Sequence, residues 1–222
     1  TGMRRCGKSY LLFEIFASYL EQNGVAPSHI IKMDLEDYKN REMRNPDNLY
    51  AFVESRIIDD GMHYVLLDEV QMLDSFEEVL NGFLKKGNLD VYVTGSNAKF
   101  LSKDIITEFR GRGFEVKVYP LSFSEFMSAY PGSVQAGFNE YMLYGGLPQI
   151  LSYASEGQKV QFLKQLFDET YIKDIKDRHS IRKDADLEEL INIMASGIGA
   201  LTNPNNLANT LRSEKNSVIS YD

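Results

Sequence analysis

Cysteine, long apolar runs and positive charge are all scarce in this sequence. One cysteine, Cys6, stands among 222 residues. That excludes an intramolecular disulfide framework and fits a reducing cytoplasm. No apolar run approaches the ~18 residues that a membrane-spanning helix needs. No signal peptide is visible, and there is no internal repeat or low-complexity tract. Lys and Arg number 24 against 32 Asp and Glu, a net charge of −8. This balance counts against a general affinity for nucleic acid or an anionic membrane, while leaving room for a local basic face. What remains is ordinary globular composition, with 43% hydrophobic and 25% charged residues.

Against that background the first nine residues are distinctive. Gly2 to Ser9 (Gly2-Met3-Arg4-Arg5-Cys6-Gly7-Lys8-Ser9) read as G-x-x-x-x-G-K-[ST], a phosphate-binding loop. The glycines let the backbone curl so that its N–H groups approach phosphate oxygens. Lys8 offers an ammonium to the outer phosphates, and the Ser9 hydroxyl suits a Mg²⁺ coordination position. A helix over Lys8 to Gln22 follows, with Leu11, Leu12, Ile15, Phe16 and Leu20 expected on one face. The loop thus delivers phosphate to a helix N-terminus. Met3, Arg4, Arg5 and Cys6 fill the variable positions. Cys6 is either a small residue tolerated there or a thiol whose oxidation obstructs phosphate binding. A buried strand normally feeds such a loop. The sequence starts one residue ahead of Gly2, so the expectation is a fragment that lacks the first strand of its sheet.

Next come a strand over His29 to Met33, a polar loop over residues 38 to 47 and a helix over Asp47 to Asp59. His63 to Leu67 is a short apolar strand that ends in Asp68-Glu69, a Walker B pattern. A buried parallel strand carries an acid to its carboxyl edge, where ligands sit in open α/β sheets. Asp68 is the candidate Mg²⁺ ligand and Glu69 the candidate base for the attacking water. A helix over Leu73 to Lys86 and a strand over Leu89 to Val93 lead to Thr94-Gly95-Ser96-Asn97. Asn97, with Ser96 second, is the candidate to reach the γ-phosphate or the attacking water. Either residue also serves as a cap for the next helix, Lys103 to Phe109. Arg112 precedes an expected strand, Phe114 to Val118. It is placed to stabilise phosphoryl charge in its own site or a neighbouring subunit's, or else it is a surface turn cation.

From residue 123 the pattern turns helical. Ser122-Phe123-Ser124-Glu125 is a capping box ahead of a helix over Phe123 to Ala129. Tyr144-Gly145-Gly146-Leu147-Pro148 interrupts the helices. Gln158 to Ile175 reads as amphipathic, with Val160, Leu163, Phe167 and Tyr171 expected in the core. A charged connection, Asp174 to Glu189, leads to a helix over Leu187 to Leu201. Asn203 to Arg212 and Ser217 to the end resemble a helix-turn-helix. The expected organisation is a P-loop α/β core over 1–122, a helical lid over 123–178 and a partial winged-helix-like segment over 179–222.

Together these motifs resemble the AAA+-related bacterial and archaeal ATPases of the uncharacterised ATP-binding protein type. The resemblance rests on Gly2 to Ser9, Leu67-Asp68-Glu69-Val70-Gln71, Thr94-Gly95-Ser96-Asn97 and Gly111-Arg112. It extends over Pro120-Leu121-Ser122-Phe123-Ser124-Glu125-Phe126 and Gly145-Gly146-Leu147-Pro148. It implies a parallel sheet of order 5-1-4-3-2, counted from a strand ahead of Gly2, with helices on both faces. It also implies a lid, a winged-helix-like segment and a further nuclease-like domain beyond this sequence. Gly146-Leu147-Pro148 is similar to the Gly-Leu-Pro element of STAND-type switch ATPases, which implies that Pro148 packs near adenine. The same resemblance supports a sensor or finger role for Arg112. Arg212 is a weak candidate for a second sensor.

Three functions compete at this point. The first is Mg²⁺-dependent ATP hydrolysis that drives conformational change. The second is a slow or non-hydrolysing nucleotide switch that recruits a partner. The third is a DNA-binding ATPase, against which the acidic charge counts. ATP or ADP with Mg²⁺ is the expected ligand set. A protein partner and a homo-oligomer remain open, DNA has weak support, and no membrane is expected.

Overall fold

The computed structural model describes residues 1–95, 113–172, 176, 184–199 and 201–215. It divides into two compact units, Thr1–Val160 and Gln161–Asp222. The first unit is built on a parallel sheet of β1 (Ile30–Asp34), β2 (His63–Asp68) and β3 (Leu89–Val93), in the order β1-β2-β3. Ile30 pairs with Tyr64 and His63 with Leu89. The strands therefore advance in step and bring their carboxyl ends to a common edge.

Alternation along the strands sorts side chains onto two faces. Ile31, Met33, Val65 and Leu67 turn toward helices α2 (Pro46–Ser55) and α3 (Phe76–Phe83), meeting Leu49, Val53, Phe76, Val79, Leu80 and Phe83 in one core. Leu66 faces the opposite way and packs on Leu12 and Ala17 of α1, which runs from Lys8 to Gln22. The central strand, β2, is thus covered on both faces, as its unbroken apolar run requires.

Several expectations need correction, among them the bounds of α2 and α3, expected over Asp47 to Asp59 and Leu73 to Lys86. Helix α1 buries Leu12, Ala17 and Leu20 but leaves Leu11 and Ile15 exposed. The cause is a π-helical stretch over Leu11–Phe16, whose wider turn moves the buried face forward. The segment Phe114 to Val118 is not a strand of the described sheet. It runs extended beside Thr1, whose amino group donates to the Val116 carbonyl at 2.7 Å and whose carbonyl accepts from Val118 N–H at 2.8 Å. This is one step of a parallel ladder, and Phe114 beside it is 93% exposed.

Beyond the sheet, α4 (Phe123–Ala129) starts at the expected capping box, with the Ser122 and Glu125 side chains each bonding the other's backbone N–H. Phe123 and Phe126 pack on Tyr141 of α5 (Val134–Tyr144). Helix α6 (Glu156–Gln165) continues into a π-helical stretch over Leu166–Ile172. Its buried residues are Lys159, Leu166 and Ile172, whereas Val160 and Phe167 are exposed. The expected core face is corrected, and the shift from Val160 to Lys159 falls within the α-helical part, ahead of the π-helical stretch. The Lys159 ammonium sets this face from its own end: it pairs with Glu140 and lies 5.5 Å from the centre of the Tyr144 ring.

In the second unit, α7 (Asp184–Ser196) packs on α8 (Pro204–Lys215), with Leu187, Ala208 and Leu211 buried. Asn203 caps α8 by accepting from Asn206 N–H at 2.9 Å. The stretch after Ser217, which the helix-turn-helix reading requires, lies outside the described residues, as does the expected helix Lys103 to Phe109.

Candidate nucleotide site

The phosphate loop takes its shape from two glycines. A Cβ at Gly2 would lie 2.3 Å from the Val118 carbonyl oxygen, a backbone atom that cannot easily move aside. Gly7 has φ 97°, the left-handed region that glycine enters without steric cost. Helix α1 begins at the next residue, and the Gly7 carbonyl accepts from Leu11 N–H at 2.8 Å. Arg5 also has positive φ, 65°. Cys6 is buried and its sulfur lies 3.4 Å from the Val118 carbonyl oxygen. The thiol therefore packs between the loop and the Val118 backbone, buried from solvent. Lys8 is 6% exposed, and its ammonium donates to the Met3 carbonyl at 3.0 Å. Ser9 and Met3 are exposed and Arg4 is half-buried.

Pro148 is 141 residues beyond Gly7 in sequence and stands against this loop, its Cγ 3.7 Å from where a Gly7 Cβ would sit. The preceding glycines make the approach possible. Gly145 has φ 75°. A Cβ at Gly146 would lie 2.1 Å from the Leu121 carbonyl oxygen. The Gly146 carbonyl in turn accepts from Leu121 N–H at 2.7 Å, and Tyr141 Oη donates to the Leu121 carbonyl at 2.8 Å.

The acidic pair sits at the carboxyl edge of the sheet. Asp68 ends β2 and is buried. Glu69 adopts the left-handed conformation, φ 50° and ψ 48°, before a single turn over Val70–Met72. Two residues that the sequence reading did not single out hold this pair. Thr94 Oγ1 donates to Asp68 Oδ1 and accepts from Glu69 N–H at 3.2 Å. Gln71 Nε2 donates to Glu69 Oε2, and Gln71 Oε1 is buried without a hydrogen-bond partner. The signal that could have found Thr94 is a hydroxyl residue directly after the strand beside the acidic strand. Ser96, Asn97 and Arg112 lie outside the described residues.

A second group of metal-ligating residue types lies at the opposite edge, where β1 and β2 begin. Ligand atoms of His29, Asp59 and His63 fall within 4.8 Å of one another. His63 is fully buried and both its ring nitrogens face backbone partners. Nδ1 is 2.8 Å from the Gly61 carbonyl oxygen, and Nε2 accepts from Ile58 N–H at 3.2 Å. A carbonyl only accepts, so the proton is assigned to Nδ1. A cation at His63 has to displace one of these backbone groups. The His29 ring stacks on His63 with centroids 4.3 Å apart, and its Nε2 is 3.1 Å from Asp59 Oδ2. The Gly61 amide, and then His29, hold the Asp59 carboxyl below its ordinary range.

Comparison with known proteins bears on residues 1–127, which match the family model described as AAA domain. Residues 135–222 match a domain of unknown function, DUF8612. An uncharacterized protein of Haemophilus influenzae is 32% identical over 221 residues, covering 97% of this chain and 55% of that protein. The uncharacterized protein MJ1544 of Methanocaldococcus jannaschii is 28% identical over 233 residues, covering 100% of this chain and 51% of that protein. A second protein of that organism, MJ1637, is 21% identical over 258 residues, with 98% and 52% covered. The chain spans about half the length of the curated relatives it matches. Among the described residues, no helix is long and apolar enough to cross a membrane.

Proposed function

The chain belongs to the AAA domain family through residues 1–127, and from that premise we propose that it binds ATP with Mg²⁺ and hydrolyses it. The observation that carries this reading is the phosphate loop backbone. Gly2 is packed where no Cβ fits, Gly7 is left-handed, and a helix starts at Lys8. Those features leave loop N–H groups and a helix N-terminus for an anion. The donor set fits a divalent cation too, since the Ser9 hydroxyl and the Asp68 carboxylate are both hard oxygen ligands.

In this reading Lys8 exchanges the Met3 carbonyl for an outer phosphate oxygen. Glu69 takes the proton of a water whose oxygen attacks the γ-phosphorus. The new P–O bond forms as the bond to the β-phosphate oxygen breaks, and ADP leaves with the electron pair. Ser9 and Asp68 would hold Mg²⁺, which would neutralise negative charge on the phosphate oxygens. Asn97 is proposed to orient the water, Arg112 to stabilise the transferring phosphoryl group, and Pro148 to border the base. Met3, Arg4, Arg5 and Cys6 contribute loop backbone to the phosphate site. Glu69→Gln is the test: turnover falls about 10²-fold or more while ATP still binds. Equal turnover removes Glu69 from the role of base.

A second reading, a slow nucleotide switch that recruits a protein or DNA partner, is favoured by Pro148. It couples the helical region after residue 122 directly to Gly7 of the loop. ATP binding with negligible turnover by the full-length protein selects this reading. The winged-helix-like character of residues 179–222 and a subunit-bridging Arg112 belong to the same proposal.

A further inference from the structure

Thr94 follows β3 and meets the end of β2 through every polar atom it has. Its N–H donates to the Leu67 carbonyl at 2.9 Å, and its carbonyl accepts from Val70 N–H at 3.0 Å. Its hydroxyl accepts from Glu69 N–H at 3.2 Å and donates to Asp68 Oδ1. The direction of the hydroxyl bonds is forced. Glu69 N–H can only donate, so the Thr94 hydrogen goes to the carboxylate oxygen. One buried residue, 7% exposed, thus bonds four consecutive residues, 67–70.

We infer that Thr94 is a positioning residue for the acidic pair, its hydroxyl fixing the Asp68 carboxylate and the Glu69 backbone as one unit. The inference rests on the nucleotide-site reading proposed above and adds a residue to it. Two physical points support it. Glu69 is non-glycine at φ 50°, a conformation that persists only where surrounding bonds hold it. Thr94 supplies such bonds on both sides of that residue, to Asp68 and to Val70. A hydroxyl donating to one carboxylate oxygen also fixes the side-chain rotamer while leaving the second oxygen to a cation.

Two substitutions separate positioning from bulk packing. Thr94→Val keeps the branched shape and removes the hydroxyl, whereas Thr94→Ser keeps the hydroxyl and removes the methyl group. The full-length protein is assayed for ATP hydrolysis across a MgCl₂ titration, with thermal stability measured alongside. Hydrogen bonds to charged groups set the expected scale. Thr94→Val lowers kcat by about tenfold to a hundredfold and raises the Mg²⁺ needed for half-maximal rate, with KM for ATP little changed. Thr94→Ser restores most of both. Wild-type kcat and Mg²⁺ dependence in Thr94→Val overturn the inference. So do equal losses in both variants that track lost thermal stability. A wild-type protein that neither binds nor hydrolyses MgATP overturns the nucleotide reading and this inference together; the first two outcomes overturn this inference alone.

Discussion

The two ends of the sheet each carry a cluster with metal-ligating residue types, and the clusters differ in what they leave unused. At the amino edge His63 has both nitrogens committed to backbone, and the loop from Ile58 to Gly61 closes around it. His29 stacks on that ring and meets Asp59. At the carboxyl edge Asp68 has one oxygen bonded by Thr94, and a buried amide oxygen of Gln71 lacks a partner beside Glu69. Ligating residue types define a site only where bonding capacity remains. His63 spends its capacity on folding; Asp68 is held in place with one carboxylate oxygen to spare.

The comparison breaks most visibly at His63. His63→Leu leaves the Ile58 N–H and the Gly61 carbonyl without their ring partners and removes the stack with His29. The expected cost is about 1–3 kcal/mol of stability, with ATP turnover per folded molecule unchanged. Denaturant midpoints and active-site-normalised rates check it. An altered kcat would show that the amino-edge cluster reaches the chemistry.

A smaller effect sharpens the picture through pH. The Asp59 carboxyl is held below its ordinary value, first by the Gly61 amide and then by His29. A depressed folded pKa means that the contribution is present above the ordinary carboxylate range. It is lost as pH falls through the folded value. Wild type is therefore slightly more stable than Asp59→Asn at pH 6, and the difference vanishes in acid. Thermal melts of both proteins from pH 6 to pH 3 test this. A difference that grows toward acid would contradict the assignment.

Much of the parallel framework was legible because its signals are local. β3 keeps the expected bounds Leu89–Val93, and β2 adds Asp68 to the expected strand. The capping box at Ser122 and Glu125 is likewise a four-residue pattern. The face of α1 was not legible, since a π-helical stretch breaks the 3.6-residue period from which a face is read; that of α6 was not, since its buried Lys159 reads as a solvent-facing charge. The candidate site could be named in the sequence as motifs but not as an assembly. Nothing in the local sequence shows that the Pro148 ring reaches Gly7, or that the Cys6 sulfur packs against the Val118 carbonyl. Thr94 reads as one more β-branched residue after a strand until the ladder sets it beside Asp68.

The measurement closest to the central claim is the thermal shift of the full-length protein with ATP and Mg²⁺, beside Lys8→Ala. Ligand at a hundredfold excess over Kd stabilises the native state by about 2.7 kcal/mol. The account predicts a rise in melting temperature of that origin in wild type and its loss in Lys8→Ala. An equal rise in both proteins would place the nucleotide elsewhere, and no rise in wild type would contradict the claim that this loop binds phosphate.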